Sequence, residues 1–243
     1  MRSRPFIAAA LAAAFTAFAA AAFGAAAFGA AETAIPPFSA HYDAQWHTIT
    51  VGTSDLELGA DGAPDRYVYN WKITARGIFR LLYANPITQK SWFTVHGGQV
   101  VPTRYRADDG ATSVALDFDW GAGRARGTSG RRPVDLQIKD GTQDLMSIQV
   151  EIMQDLRSGA VPPTFQIVDK DEVKDFDYAD EGTARIHTAL GVLDTRVVSS
   201  RRPGSNRVLR MWFAPSLDFV PVQAERWRAG TLEFAMRIKN LSR

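Results

Sequence analysis

The sequence predicts a mainly β fold: a strongly curved antiparallel sheet, a half-barrel or open barrel, wrapped around one central α-helix at about 142–158. Three observations carry this expectation. After Pro36-Pro37, apolar and polar residues alternate along most of the chain, as strands with one buried face require. Turn signals recur at short intervals, among them Gly52-Thr53, Asp61-Gly62, Gly97-Gly98, Asp109-Gly110, Pro203-Gly204 and Gly230, which favours hairpins and meanders over parallel crossovers. Only one stretch of the chain after residue 31 has clear helical periodicity. A long meander with aromatic inner faces protects its edges and fills its interior by curving.

Taken in order, the chain begins with Arg2 and Arg4, then an uncharged run over 5–31 built of alanine with scattered phenylalanine. A basic start, an apolar stretch and the small residues Gly29 and Ala31 have the form of a secretory signal cut before Glu32. The expected organisation is therefore a signal peptide at 1–31 and a single β-rich domain at 32–243, in the periplasm or secreted. Membrane association is expected only from an uncut signal. There is no cysteine, which excludes disulfides, thiolate metal sites and lipid attachment at a thiol. The core alone has to stabilise the domain.

Strand signals follow. Tyr67, Tyr69 and Trp71 share one face of a strand, with Arg66, Asn70 and Lys72 on the other. Val114, Leu116, Phe118 and Trp120 make a second such face, and Leu232, Phe234, Met236 and Ile238 a third. About six strands are expected on each side of the helix. The segment 77–86, with Ile78, Phe79, Leu81, Leu82 and Tyr83, is apolar on both sides of any strand. It fits a doubly covered strand or short core helix; an apolar lip at the mouth of a cavity is the other reading. Pro215 and Pro221 bracket a tight connection between two strands, and the charged run 169–177 suits a hairpin better than a calcium loop.

The helix places Leu145, Met146, Ile148, Val150, Ile152, Met153 and Leu156 on one wide apolar arc. Ser147, Glu151, Gln154 and Asp155 form a narrow polar face. So broad an arc implies cover on more than one side. Asp140 with Gln143 fits a capping box, Asp144 suits the helix dipole, and Gly159 is a natural stop. Gln149 sits inside the apolar arc, so it needs a partner there: a neighbouring strand, or the head group of a bound molecule.

Motifs for chemistry are lacking. The sequence has no Gly-x-Ser-x-Gly elbow, Ser-x-x-Lys pair, phosphate-binding glycine loop or His-Glu-x-x-His. His41 and His47 would share a side of a continuous strand, as half a metal site or as two solvent-facing residues. Net charge is only +2, and no basic stripe is interleaved with aromatics, which argues against nucleic acid as a partner. No cofactor is expected.

The helix entry Gly141-Thr142-Gln143-Asp144-Leu145-x-Ser147, the strand Gly191-Val192-Leu193-Asp194-Thr195 and the segment Trp212-Phe213-Ala214-Pro215 with Phe219-Val220-Pro221-Val222 occur in that order. Val100-Val101-Pro102-Thr103-Arg104-Tyr105 precedes them. Together they resemble the domain-of-unknown-function 3108 family of exported bacterial proteins, over about 38–241. The resemblance implies an exported β-rich domain and brings no catalytic residues with it.

The function expected from this reading is non-enzymatic: a periplasmic module holding an apolar or amphiphilic, lipid-like envelope component in its concave face. The candidate lining is Tyr67, Tyr69, Trp71, Trp92, Phe118, Met146, Gln149, Met153 and Trp212, each of which would otherwise be ordinary core. An envelope hydrolase acting on glycan or peptide, and a scaffold for another envelope protein, are the rival readings.

Overall fold

The alternating runs become strands. A computed structural model describes residues 35–243 except 64 and 82, all within one compact unit, Glu32–Arg243. The expected signal at 1–31 lies outside the described residues.

Ahead of the helix come Phe38–Trp46 (β1), Ile49–Ala60 (β2), Arg66–Ala75 (β3), Ile87–His96 (β4) and Gln99–Asp108 (β5). Ser113–Asp119 (β6), Arg124–Ser129 (β7), Arg132–Gln137 (β8) and the two-residue Gln143–Asp144 (β9) follow. After the helix α1, Ser147–Ser158, the chain lays down Thr164–Asp169 (β10), Glu172–Thr188 (β11) and Gly191–Arg201 (β12). Arg207–Ala214 (β13), Val220–Arg228 (β14) and Thr231–Ser242 (β15) complete it. The strands ahead of α1 outnumber the expected six because β7 and β8 carry few apolar residues with which to alternate.

All of them belong to one 15-stranded sheet, large, curved and not closed. β1 lies at its middle, paired with β2 on one side and β15 on the other. From β1 the sheet meanders outward to β8, and from β15 it runs back to β9. Neighbours are antiparallel except β9 and β10. Its two edges, β8 and β9, are joined by residues 138–142 and do not pair with each other. The core lies on one face, where Tyr42, Leu56, Tyr69, Phe93, Tyr105 and Leu116 meet Ile167, Val198, Met211 and Phe213 around the apolar residues of α1.

The helix begins later than expected. Gln143 and Asp144 form β9, and the box over Asp140 and Gln143 does not cap the helix. Asp144 does so instead: its Oδ1 accepts the N–H groups of Met146 and Ser147 at 2.8 and 2.9 Å, while Ser147 Oγ accepts the Asp144 N–H at 2.9 Å. This reciprocal pair performs the work of a capping box four residues further on. Gly159, at φ 108°, ends the helix in the left-handed region as expected. The expected polar face is not a solvent face, because Ser147 and Gln154 are buried.

The segment 77–86 departs from the core reading. Gly77–Leu81 is a 3-10 helix with no buried residue, and Ile78 and Leu81 are 73% and 83% exposed. It follows the Gly52–Ala75 pair, where β3 ends beside the start of β2. The tight connection between the two prolines is present as a second 3-10 turn, Pro215–Leu217, and the run 169–177 forms the β10–β11 hairpin.

Candidate functional site

In a strand, residues two apart share a face, so rows of paired residues define what the helix sees. One row runs Tyr178–Ser200–Leu209–Arg226 across β11 to β14, and the next row Val198–Met211–Ala224. Opposite them stand Leu145, just ahead of the helix, and Ile148, Gln149 and Ile152 of α1. Between helix and sheet lies a cavity of about 300 Å³, walled by these residues other than Ala224, with Ile167, Phe176 and Phe213.

One end of this cavity is basic. Arg201, Arg202 and Arg207, at the β12–β13 turn, line it together with Ser205 and Arg226. Arg207 and Arg226 share a single carboxylate, Glu233, at 3.8 and 3.3 Å, and Arg228 approaches the same group at 3.8 Å. Arg201 reaches Asp177 only at 3.9 Å, and Arg202 has no carboxylate in ion-pair distance among the described residues. Asp169 also lines the cavity but is paired with Lys174 at 2.7 Å. The polar end therefore carries excess positive charge.

Gln149 is where the sequence argument and the cavity meet. Its Oε1 accepts a hydrogen bond from Tyr69 Oη at 3.4 Å, which supplies the strand partner expected for it, and its side chain also borders the cavity. Tyr69 is fully buried. The opposite flank of α1 is held by the β4–β5 hairpin: the Val100 N–H donates to Glu151 Oε2 at 2.6 Å, Gln143 Nε2 donates to Val100 O at 2.8 Å, and Ser91 Oγ donates to Asp144 Oδ2 at 2.6 Å. Burial pushes the Glu151 carboxyl up to about 7, with the nearby Asp155 adding to the effect and the Val100 bond opposing it. Burial likewise raises Asp144 and Asp155, each to about 6.

Of the nine candidate lining residues, Gln149 alone borders this cavity. Met146 and Met153 are fully buried in the core. Tyr67 stacks on Phe93 at 5.7 Å and accepts the Ile35 N–H at 3.3 Å, and Phe118 stacks on Trp120 at 6.1 Å. Trp212 is buried within the β12–β14 part of the sheet, paired with Val197 and Gln223. Trp92 alternates with the buried Ser91 and Phe93, so it stands on the other face, between Lys90 at 4.4 Å and Arg104 at 5.3 Å from its ring. Trp71 is half-buried and donates from Nε1 to Ser54 Oγ at 2.7 Å. It borders a wider, shallower groove of about 640 Å³ whose other residues include Asp55, Glu57, Lys72, Lys90, Arg106 and Asp108. Trp71, Ala107, Val114 and Ala115 line it beside charges of both signs, so it has no single charged end. The clustering of the β12–β13 arginines with β14 exists only once the strands pair, so no contiguous stretch of sequence signals it.

The two strand histidines do not form a pair. β1 stops at Trp46, so His47 lies in the turn at φ 53°, while His41 Nδ1 meets Asp55 Oδ1 at 2.5 Å. Among the described residues no group of three or more potential metal ligands is found, and no helix is long and apolar enough to cross a membrane.

Fold and cavity define an open-sheet β protein with a helix-lined apolar pocket that is basic at one end. Residues 41–234 match the family described as protein of unknown function (DUF3108), and the chain belongs to that family. It is also similar to the crystal structure of a candidate lipoprotein from Parabacteroides distasonis ATCC 8503, at 10% identity and a TM-score of 0.38, covering 86% of this chain and 96% of that one. A candidate exported protein with a YmcC-like fold from Bacteroides fragilis NCTC 9343 is similar at 9% identity and a TM-score of 0.37, covering 85% and 95%. Neither likeness is close enough to carry a functional argument. No curated protein matches.

Proposed function

We propose that this chain is an exported, non-enzymatic binding module whose sheet forms a half-barrel around α1 and receives an amphiphile with an anionic head group. The observation that carries this reading is the cavity itself, with an apolar wall of Ile148, Ile152, Ile167, Phe176, Met211 and Phe213 ending at Arg201, Arg202 and Arg207. A pocket of mostly apolar wall with a few convergent polar groups is the common form of a small-molecule site. At about 300 Å³ it stands at the small end of such sites, which suits one acyl chain. Gln149 and Ser200 would meet the first polar atoms of the head group, and the arginines its charge.

The test is titration of delipidated protein with a fluorescent fatty acid and with the matching fatty alcohol. Saturable binding of the acid is expected. Joint replacement Arg202→Glu and Arg207→Glu should weaken it about tenfold or more while leaving the alcohol unaffected, as expected for a charge-assisted contact. An absence of saturable binding by the unaltered protein removes this reading.

A further inference from the structure

Most of the exposed large apolar side chains gather at one end of the sheet, with Val192 apart from them at the β11–β12 turn. Trp46 and Ile49 flank the β1–β2 turn, and the Arg76 N–H donates to Val51 O at 2.9 Å, which sets the Gly77–Leu81 turn beside them. There Ile78, Leu81 and Tyr83 are 73%, 83% and 59% exposed. Trp46 pairs with Phe234 at the start of β15, Arg226 pairs with Phe234 and Leu209, and Arg207 pairs with Arg228. The β1–β2, β3–β4, β12–β13 and β14–β15 connections therefore occupy one end of the sheet, side by side. On them arginines interleave with the apolar tips: Arg76 and Arg80 near Ile78, then Arg202, Arg207 and Arg228. The carboxylates on this arc are Glu233, already facing three arginines, and Asp177, beside Arg201. Acidic residues gather on the flanking turns instead, at Asp108 and Asp109 and at Asp169, Asp171 and Glu172.

From this arrangement we propose that this end of the sheet docks the protein onto an anionic lipid surface. Apolar side chains at the tips of separate turns present no flat face for the close packing that a protein interface needs, but each tip can enter a fluid layer. Aromatic residues favour the head-group level, and arginines there meet anionic lipids while their stems cover apolar surface. A second copy of the chain would bring like charges together in a two-fold contact, which opposes self-association through this end. The docking needs neither the N-terminal segment nor an occupied cavity.

The experiment is vesicle flotation with the chain beginning at Glu32, so that the apolar N-terminus contributes nothing. Binding is expected to phosphatidylcholine vesicles containing phosphatidylglycerol, falling at high salt, and not to phosphatidylcholine alone. The exposed pair Ile78→Asp with Leu81→Asp should abolish it, and Arg76→Glu with Arg80→Glu should weaken it about tenfold or more. Unfolding midpoints should stay unchanged, since these side chains are exposed. No flotation with either vesicle, flotation unaffected by both variants, or a dimer in light scattering that Leu81→Asp dissociates would overturn the proposal. These four residues lie outside the cavity, so fatty-acid binding by the variants reports on the cavity separately.

Discussion

Glu151 shows how a residue can look exposed in sequence and be covered in the fold. The helical wheel puts it on the narrow polar face with Ser147 and Asp155, but the β4–β5 hairpin lies over that face and the Val100 N–H closes on it at 2.6 Å. A carboxyl whose folded pKa lies above its unfolded value holds its proton more tightly when folded. Its contribution is complete below the ordinary carboxylate range and is lost as pH rises through the folded value. For Glu151 the loss runs from its ordinary value up to about 7, and Asp144 and Asp155 add theirs up to about 6. Stability should therefore fall between about pH 4.5 and 7.5, with a slope of up to about 1.4 kcal/mol per pH unit for each proton released. Chemical denaturation across that range checks it, and Glu151→Gln should flatten the upper part of the slope. Surface ion pairs such as Asp180 with Arg196, where the carboxyl is held below its ordinary value, act in the opposite sense at more acidic pH.

At the scale of elements, legibility followed local periodicity. The aromatic strand β3, the helix centre and the Gly159 stop were visible because their signals are contiguous in sequence. The helix start was not, since Asp140-x-x-Gln143 and Asp144-x-x-Ser147 both have capping spacing and only the pairing of Gln143 and Asp144 with Ile167 and Val168 decides between them. Asp144 consequently serves two elements, capping α1 and accepting from Ser91 of β4. Asp144→Ala would remove the cap and leave a buried serine hydroxyl without that acceptor. The expected loss is about 2–4 kcal/mol in denaturant unfolding, more than a simple helix cap provides. The apolar turn after β3 departs from the core reading for a related reason: a run of apolar residues says that cover is wanted, and the sheet end supplies none.

For the whole molecule, the sequence could show a meander but not its order in space. Nothing local says that β1 and β15 pair, and that pairing puts the β10–β14 wall of the cavity into one sheet with the β4–β5 hairpin that holds α1. Six of the nine expected lining residues, Tyr67, Tyr69, Phe118, Met146, Met153 and Trp212, are buried without bordering the cavity. Their spacing is right for an inner face. Which part of an inner face remains unfilled is a property of the assembled volume.

The pairing of Ser39 with Ser242 sets the first and last strands side by side, while the two edges of the sheet are joined by a short loop whose Lys139, Asp140 and Gly141 are exposed. In connectivity the chain is a ring cut at the centre of its sheet. A circular permutant that links the present ends and opens between Asp140 and Gly141 would keep every strand pair. It should unfold at nearly the same denaturant concentration. Its folding rate should differ, because the most costly loop to close in the present chain, between β1 and β15, would become a local hairpin. Stopped-flow refolding that is faster for the permutant, at matched stability, would show that this central seam is made at or before the rate-limiting step.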